Sequence, residues 1–155
     1  MAEILYQKPR LDAIAKMQAL VLPEVKSGKI LFRSDDEIAT NIRSYTVALH
    51  EEEIVGFVAL HIHTAKLAEV RSLIVDSRMR GHGIGSELVR ATIEEAQNLG
   101  IAQLFTLTYE QRFFEKLGFH EIPKASLPEH KIWADCVKCK HFPVCDEVAL
   151  IYNLS

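Results

Sequence analysis

The chain has 155 residues, 48% of them hydrophobic and 25% charged, with a formal net charge of −3. That length predicts one domain, residues 1–155, and a chain of this size buries roughly 68–70% of its unfolded surface, enough for a core of its own. The acidic balance argues against a dedicated nucleic-acid binder, no run reaches the apolar length of a membrane span, and the N-terminus lacks a signal peptide's apolar segment, so a cytoplasmic protein is expected.

Taken in order, residues 3–7 (EILYQ) read as a first strand. In residues 10–21, Leu11, Ile14, Met17, Leu20 and Val21 recur at helical spacing, and Pro23 is expected to help end that helix. Ser34 with Glu37 three residues on is a capping-box signature, predicting a short helix over 34–42. Residues 44–49 and 53–63 are apolar and β-branched, and the charged HEEE between them reads as a hairpin turn. Residues 68–75 (AEVRSLIV) form a third strand of this group. A glycine segment comes next, then a helix over 86–99 with Gly100 as its stop. Residues 101–107 read as a strand, 111–119 as a short helix ended by Gly118, and 147–154 as a final strand. Hairpins followed by strand–helix–strand predict an α/β (α+β) fold with one mixed, mostly antiparallel sheet flanked by helices.

Chemistry concentrates in the glycine segment. Gly81, Gly83 and Gly85 fall within five residues behind Arg80, between a strand and a helix. From Arg71 to Arg90 there are four arginines and two acids, in a chain that is acidic overall. The first N–H groups of a helix have no intrahelical partner and sit at the positive end of the helix dipole, and residues without a Cβ let an anion approach. This is phosphate-site logic. The P-loop requires a lysine after its glycines, and the dinucleotide fingerprint requires G-x-G-x-x-G; the spacing here, R-G-x-G-x-G, meets neither.

Residues 68–100 and the later FFEKLGF (113–119) together resemble the GNAT acetyltransferase superfamily. The resemblance implies acetyl-CoA as co-substrate, with its pyrophosphate on the segment Arg80, Gly81, His82, Gly83, Ile84, Gly85 and Ser86. It also implies that Leu73, Ile74 and Val75 bind the pantetheine arm and acetyl group. Many GNAT enzymes carry a tyrosine where this chain has Phe114, which cannot protonate a departing thiolate. Thr108, Tyr109 or water is the alternative acid.

The chain is more closely similar to the N-acetylglutamate synthases, amino-acid N-acetyltransferases of arginine biosynthesis. The similarity lies in GKILFRSDDEI (28–38), in AEVRSLIV and in the tail 131–154. It implies L-glutamate as acceptor, Arg33 on its carboxylate and Glu69 as catalytic glutamate. The larger enzymes carry an amino-acid-kinase domain for which 155 residues leave no room, so arginine regulation through such a domain is not expected. A dicarboxylate needs fixed cations, and Arg33, Arg71 and Lys131 are candidates. Strand alternation puts Glu69 and Val75 on one face; the alternative for Glu69 is a solvated strand-end carboxylate. Another amino acid, a polyamine or a protein N-terminus remains open as acceptor, and so does a non-catalytic acyl-CoA-binding or metal-binding module. A homodimer is also left open.

The three cysteines do not form a disulfide framework in a reducing compartment. Cys136, Cys139 and Cys145, with His141 or His130, have a partly zinc-like spacing, but the chain offers no matching second pair, so structural zinc is not favoured. His61 and His63 share a strand face but are too few for a metal site.

Overall fold

The computed structural model describes residues 3–127 and 147–154. Among these residues, seven strands form one sheet: β1 (Ile4–Gln7), β2 (Tyr45–His50), β3 (Glu53–Ile62), β4 (Leu67–Val75), β5 (Gln103–Thr108), β6 (His120–Ile122) and β7 (Val148–Asn153). Their order across the sheet is β1-β2-β3-β4-β5-β7-β6. Of these neighbours, β4 and β5 run parallel; the others are antiparallel. The sheet is therefore mixed and mostly antiparallel, as the element order predicts. The described α-helices flank it: α1 (Ile14–Lys26), α2 (Asp35–Thr40), α3 (Ile84–Leu99) and α4 (Gln111–Lys116).

Local chemistry explains most of these boundaries. Ser34 caps α2, its hydroxyl accepting the Glu37 N–H at 3.1 Å. Gly100 ends α3 in the left-handed conformation at φ 82°, and its N–H reaches back to the Ala96 and Gln97 carbonyls. Pro23 does not end α1, contrary to the sequence expectation. A proline removes one helical N–H, but the turn after it closes through Ser27 N–H to the Pro23 carbonyl at 3.1 Å. The chain leaves the helix only at Gly28, at φ 80°. The β2–β3 turn uses Glu51 and Glu52 at φ 51° and 69°, a two-residue hairpin turn made without its usual asparagine or glycine.

The sheet is covered on both sides. On one face Ile84, Leu88 and Val89 of α3 and Phe114 of α4 bury against Val58, Val70 and Leu104. On the other, Met17 and Val21 of α1 and Ile38 of α2 bury against Val47, Phe57 and Ile74. A smaller cluster of Phe105, Leu127, Ala149 and Ile151 lies beyond β4.

Two irregularities in β4 position the functional residues. Its pairing with β5 stops after Leu67↔Gln103, Ala68↔Leu104 and Glu69↔Phe105, and the strands then part. The last tie is the Thr106 hydroxyl, which donates to the Val70 carbonyl at 2.9 Å. On the opposite edge, β3 pairs Ala59↔Arg71 and Phe57↔Ile74, so β4 carries one extra residue. Ser72, at φ 60°, sits in this bulge. The extra residue shifts the alternation. Glu69, Arg71 and Ile74 share one face, and Val75 packs on the other. The simple odd–even count, which puts Glu69 with Val75, is therefore corrected by the bulge.

Candidate active site

The parting of β4 and β5 opens a cleft of about 740 Å³. Residues 69–75 form one wall and 106–110 the other. The end of α1 and residues 28–33 reach over one mouth, and the glycine segment closes the far end.

At that far end, Asp76 organises the turn out of β4. Its carboxylate accepts from the Arg78 backbone N–H at 2.9 Å and pairs with the Arg78 guanidinium at 2.7 Å. These hydrogen bonds hold the Asp76 carboxyl below its ordinary range. Gly81 and Gly83 come next at φ 86° and 76°, and Gly83 is the N-cap of α3. The helix opens at Ile84, two residues earlier than its sequence pattern indicates. Among the described residues no side chain caps it; its first residues line the cleft, and a Cβ on Gly81 or Gly83 would meet no atom within 4 Å. A phosphate fits that arrangement. Arg80, mostly exposed, reaches across the mouth toward Glu24 of α1, at 3.8 Å. Leu73, Ile74, Val75, Arg80, Gly81, Gly83, Ile84, Gly85 and Ser86 all line the cleft. The His82 side chain is exposed and does not.

At the other end, Glu69 lines the cleft yet is only 2% exposed. It is no solvated strand-end carboxylate. His63 Nε2 lies 2.9 Å from its Oε1, and the two side chains are 3% and 2% exposed. The β3–β4 turn makes this pair: His61 is directly opposite Glu69, which puts His63, two residues on, on the same face. The His63 N–H donates to the Leu67 carbonyl at 2.9 Å, and the Thr64 hydroxyl accepts the Lys66 and Leu67 N–H groups. The ring of His63 packs against His61 and Phe105, with centroids at 4.6 and 5.4 Å.

Arg33 and Arg71, far apart in sequence, both line the cleft. Both act electrostatically on the Tyr45 phenol. Burial holds that phenol above its ordinary range, Arg33 and then Arg71 pull it back, and Glu37 adds to the rise. Arg33 is 16% exposed and lies 3.7 Å from Glu37. Two guanidinium groups at a cleft wall suit a carboxylate ligand.

Thr108 ends β5 at the cleft and Tyr109 follows it there. The Thr108 hydroxyl accepts the Glu110 N–H at 2.8 Å, and Tyr109 is 40% exposed. Phe114 is buried edge-on between Phe113 and Phe119, with centroids at 5.0 and 5.2 Å. Phe113 in turn sits 3.4 Å from where a Cβ on Gly85 would stand, tying α4 to the start of α3.

Lys131, His130, Cys136, Cys139, His141 and Cys145 lie outside the described residues. Among the described residues, no group of three or more His, Cys, Asp and Glu is placed to hold a metal ion. None of their helices is long and apolar enough to cross a membrane. Sequence reasoning misses the His63–Glu69 pair. The alternating His61 and His63 opposite a lone acidic residue in an apolar strand is the available signal for it.

Comparison with known proteins agrees with this geometry. A profile described as the acetyltransferase (GNAT) family matches residues 12–119. An uncharacterised N-acetyltransferase of Chlorobaculum tepidum is 38% identical over 127 residues, 82% of this chain and 81% of that protein. An amino-acid acetyltransferase of Mycobacterium tuberculosis is 35% identical over 65% of this chain and 60% of its own length. Among solved structures, N-acetylglutamate synthase from Neisseria gonorrhoeae, complexed with coenzyme A and N-acetyl-glutamate, superposes with a TM-score of 0.88 at 23% identity. That match covers all of this chain and 36% of the synthase chain. At that identity the likeness speaks for the fold.

Proposed function

The chain belongs to the acetyltransferase (GNAT) family, and on that premise we propose that it moves the acetyl group of acetyl-CoA directly onto the α-amine of L-glutamate in a ternary complex. One observation carries the reading. A single cleft joins an uncapped, glycine-led helix N-terminus to a buried glutamate and a pair of arginines. The gonococcal synthase, crystallised with coenzyme A and N-acetyl-glutamate, has the same fold. The proposal makes this chain a cytoplasmic enzyme of arginine biosynthesis.

Each part of the cleft takes a share of the work. The backbone N–H groups from Gly81 to Ser86, with Arg80, hold the pyrophosphate, and His82 contributes only its backbone. Leu73, Ile74 and Val75 present backbone along the β4 edge that β5 has left. Arg33 and Arg71 clamp the acceptor's carboxylates; Lys131, in the tail, is a third candidate. Acetyl-CoA, when bound, supplies the thioester: the amine lone pair forms the C–N bond, the C–S bond breaks and its electron pair leaves on sulfur. Glu69, directly or through a water, takes the proton that frees the amine. Backbone N–H groups near Ile74 and Val75 stabilise the developing oxyanion. Tyr109 or Thr108 protonates the departing sulfur in place of the family's tyrosine. Two protons leave the nitrogen and one ends on sulfur, so each turnover releases one.

The test is thiol release from acetyl-CoA against a panel of L-glutamate, other amino acids, a polyamine and a peptide with a free N-terminus. L-Glutamate is expected to give the highest kcat/KM. No CoA release with L-glutamate above background, or a faster rate with a monocationic or polycationic amine, overturns this choice of acceptor.

A further inference from the structure

The cleft wall does not end at Glu69. His63 stands behind it: Glu69 lines the cleft and His63 does not, and the two touch at 2.9 Å with both side chains almost fully buried. A proton collected from the cleft therefore meets Glu69 first and has a second basic site one hydrogen bond away. We infer that His63 is a positioning residue that shares the proton Glu69 takes from the acceptor amine. The inference rests on the reading of Glu69 as the base.

The physical case has three parts. A carboxylate this deeply buried is expensive to leave charged unless a donor meets it, and the His63 Nε2–H supplies one while fixing the carboxylate's orientation. When the pair gains a proton, it becomes either a carboxylic acid beside a neutral imidazole or a carboxylate beside an imidazolium. A proton with two sites available is bound at least as tightly as on either site alone. The proton that Glu69 takes is then not confined to the carboxylate. The ring itself is held by Phe105 and His61 and by the tight turn after β3, so its direction is set before substrate arrives.

Other titratable or charged groups among the described residues on this face include His61 on β3, Arg71 on β4 and Tyr45 on β2. Lys29, Arg33, Arg80, Tyr109, Glu24, Glu110 and Glu147 add to these from the rest of the cleft. The cations disfavour a net positive pair and the carboxylates oppose them. All stay in place when His63 alone is changed, so a single substitution isolates its part.

The test uses the full chain, with acetyl-CoA and L-glutamate. The substitution His63→Gln keeps an N–H donor of similar reach but removes the second proton site. The acid limb of its kcat/KM–pH profile is expected to move to lower pH by about one to two units, the spacing of ordinary Glu and His values. The kcat near pH 7 is expected to fall roughly tenfold, with the acetyl-CoA KM unchanged. A merely structural histidine leaves the limb where it is. If His63→Gln does not fold, nitrogen-15 NMR of imidazole-labelled wild-type protein decides. A His63 ring that titrates at the midpoint of the kinetic acid limb supports the inference, and a ring that does not change across that midpoint overturns it. The underlying reading fails separately: a wild-type rate and profile in Glu69→Gln removes Glu69 as the base. An inactive Glu69→Gln with an unmoved limb in His63→Gln removes only the role of His63.

Discussion

The two ends of the cleft are built from different materials. The glycine end is backbone: one contiguous stretch from Leu73 to Ser86 supplies the strand edge, the positive-φ turn and the helix N-terminus. The other end is side chains from separate parts of the chain, with Arg33 before β2, His63 after β3, Glu69 and Arg71 in β4 and Tyr109 after β5. A backbone site is specified locally and tolerates any side chain that does not fill it. A side-chain site depends on the sheet to assemble it, so each residue carries a distinct share of affinity or rate. On the proposed function, the first holds acetyl-CoA and the second selects the acceptor.

If that division holds, each end answers to a different kinetic constant. Glu69→Gln has the largest expected effect: kcat falls about 10²–10³-fold while the acetyl-CoA KM stays put, as for loss of a general base. Arg33→Ala comes next, raising the acceptor KM about 10–100-fold, the worth of a charged hydrogen bond, again with the acetyl-CoA KM unchanged. Gly83→Val reverses the pattern. A β-branched residue at φ 76° is strained by about 1–2 kcal/mol, and its side chain enters the open space at the start of α3. The acetyl-CoA KM is expected to rise about tenfold and the acceptor KM to stay constant, at a cost in stability of roughly that strain, read by thermal denaturation. Tyr109→Phe is the mildest, a several-fold drop in kcat if its phenol protonates the thiolate. Steady-state kinetics varying both substrates checks all four. A Gly83→Val protein with a raised acceptor KM alone, or an Arg33→Ala protein with a raised acetyl-CoA KM alone, breaks the division.

The same contrast governs what can be read from the sequence. Strand and helix periodicity, the Ser34 cap, the Gly100 stop and the glycine segment are local signals, and the structure bears them out within a residue or two, except that α1 starts later and runs on past Pro23 to Lys26 and α4 stops at Lys116. Strand β6 is hidden at the end of the expected short helix because three residues are too few to show alternation; β6 exists by pairing with β7, which is distant in sequence. The Ser72 bulge is invisible in composition, since serine gives no sign of a left-handed φ; it shows only as a slip in register against β3. That slip puts Ile74, instead of Val75, on the face that Glu69 already shares with Arg71. His63 reads as an ordinary strand histidine because its partner is set by the turn geometry, not by neighbours in the chain. Arg33 and Arg71 are candidates by charge, but that both reach one cleft is a product of the fold.

The most direct measurement is the mass and position of the product. Incubation of the purified chain with acetyl-CoA and L-glutamate, with the products read by mass spectrometry and NMR, should give N-acetyl-L-glutamate acetylated at the α-nitrogen, one molecule for each CoA released. CoA released without acetylated glutamate, or no reaction with glutamate where another amine is acetylated, would contradict the assignment of the acceptor end.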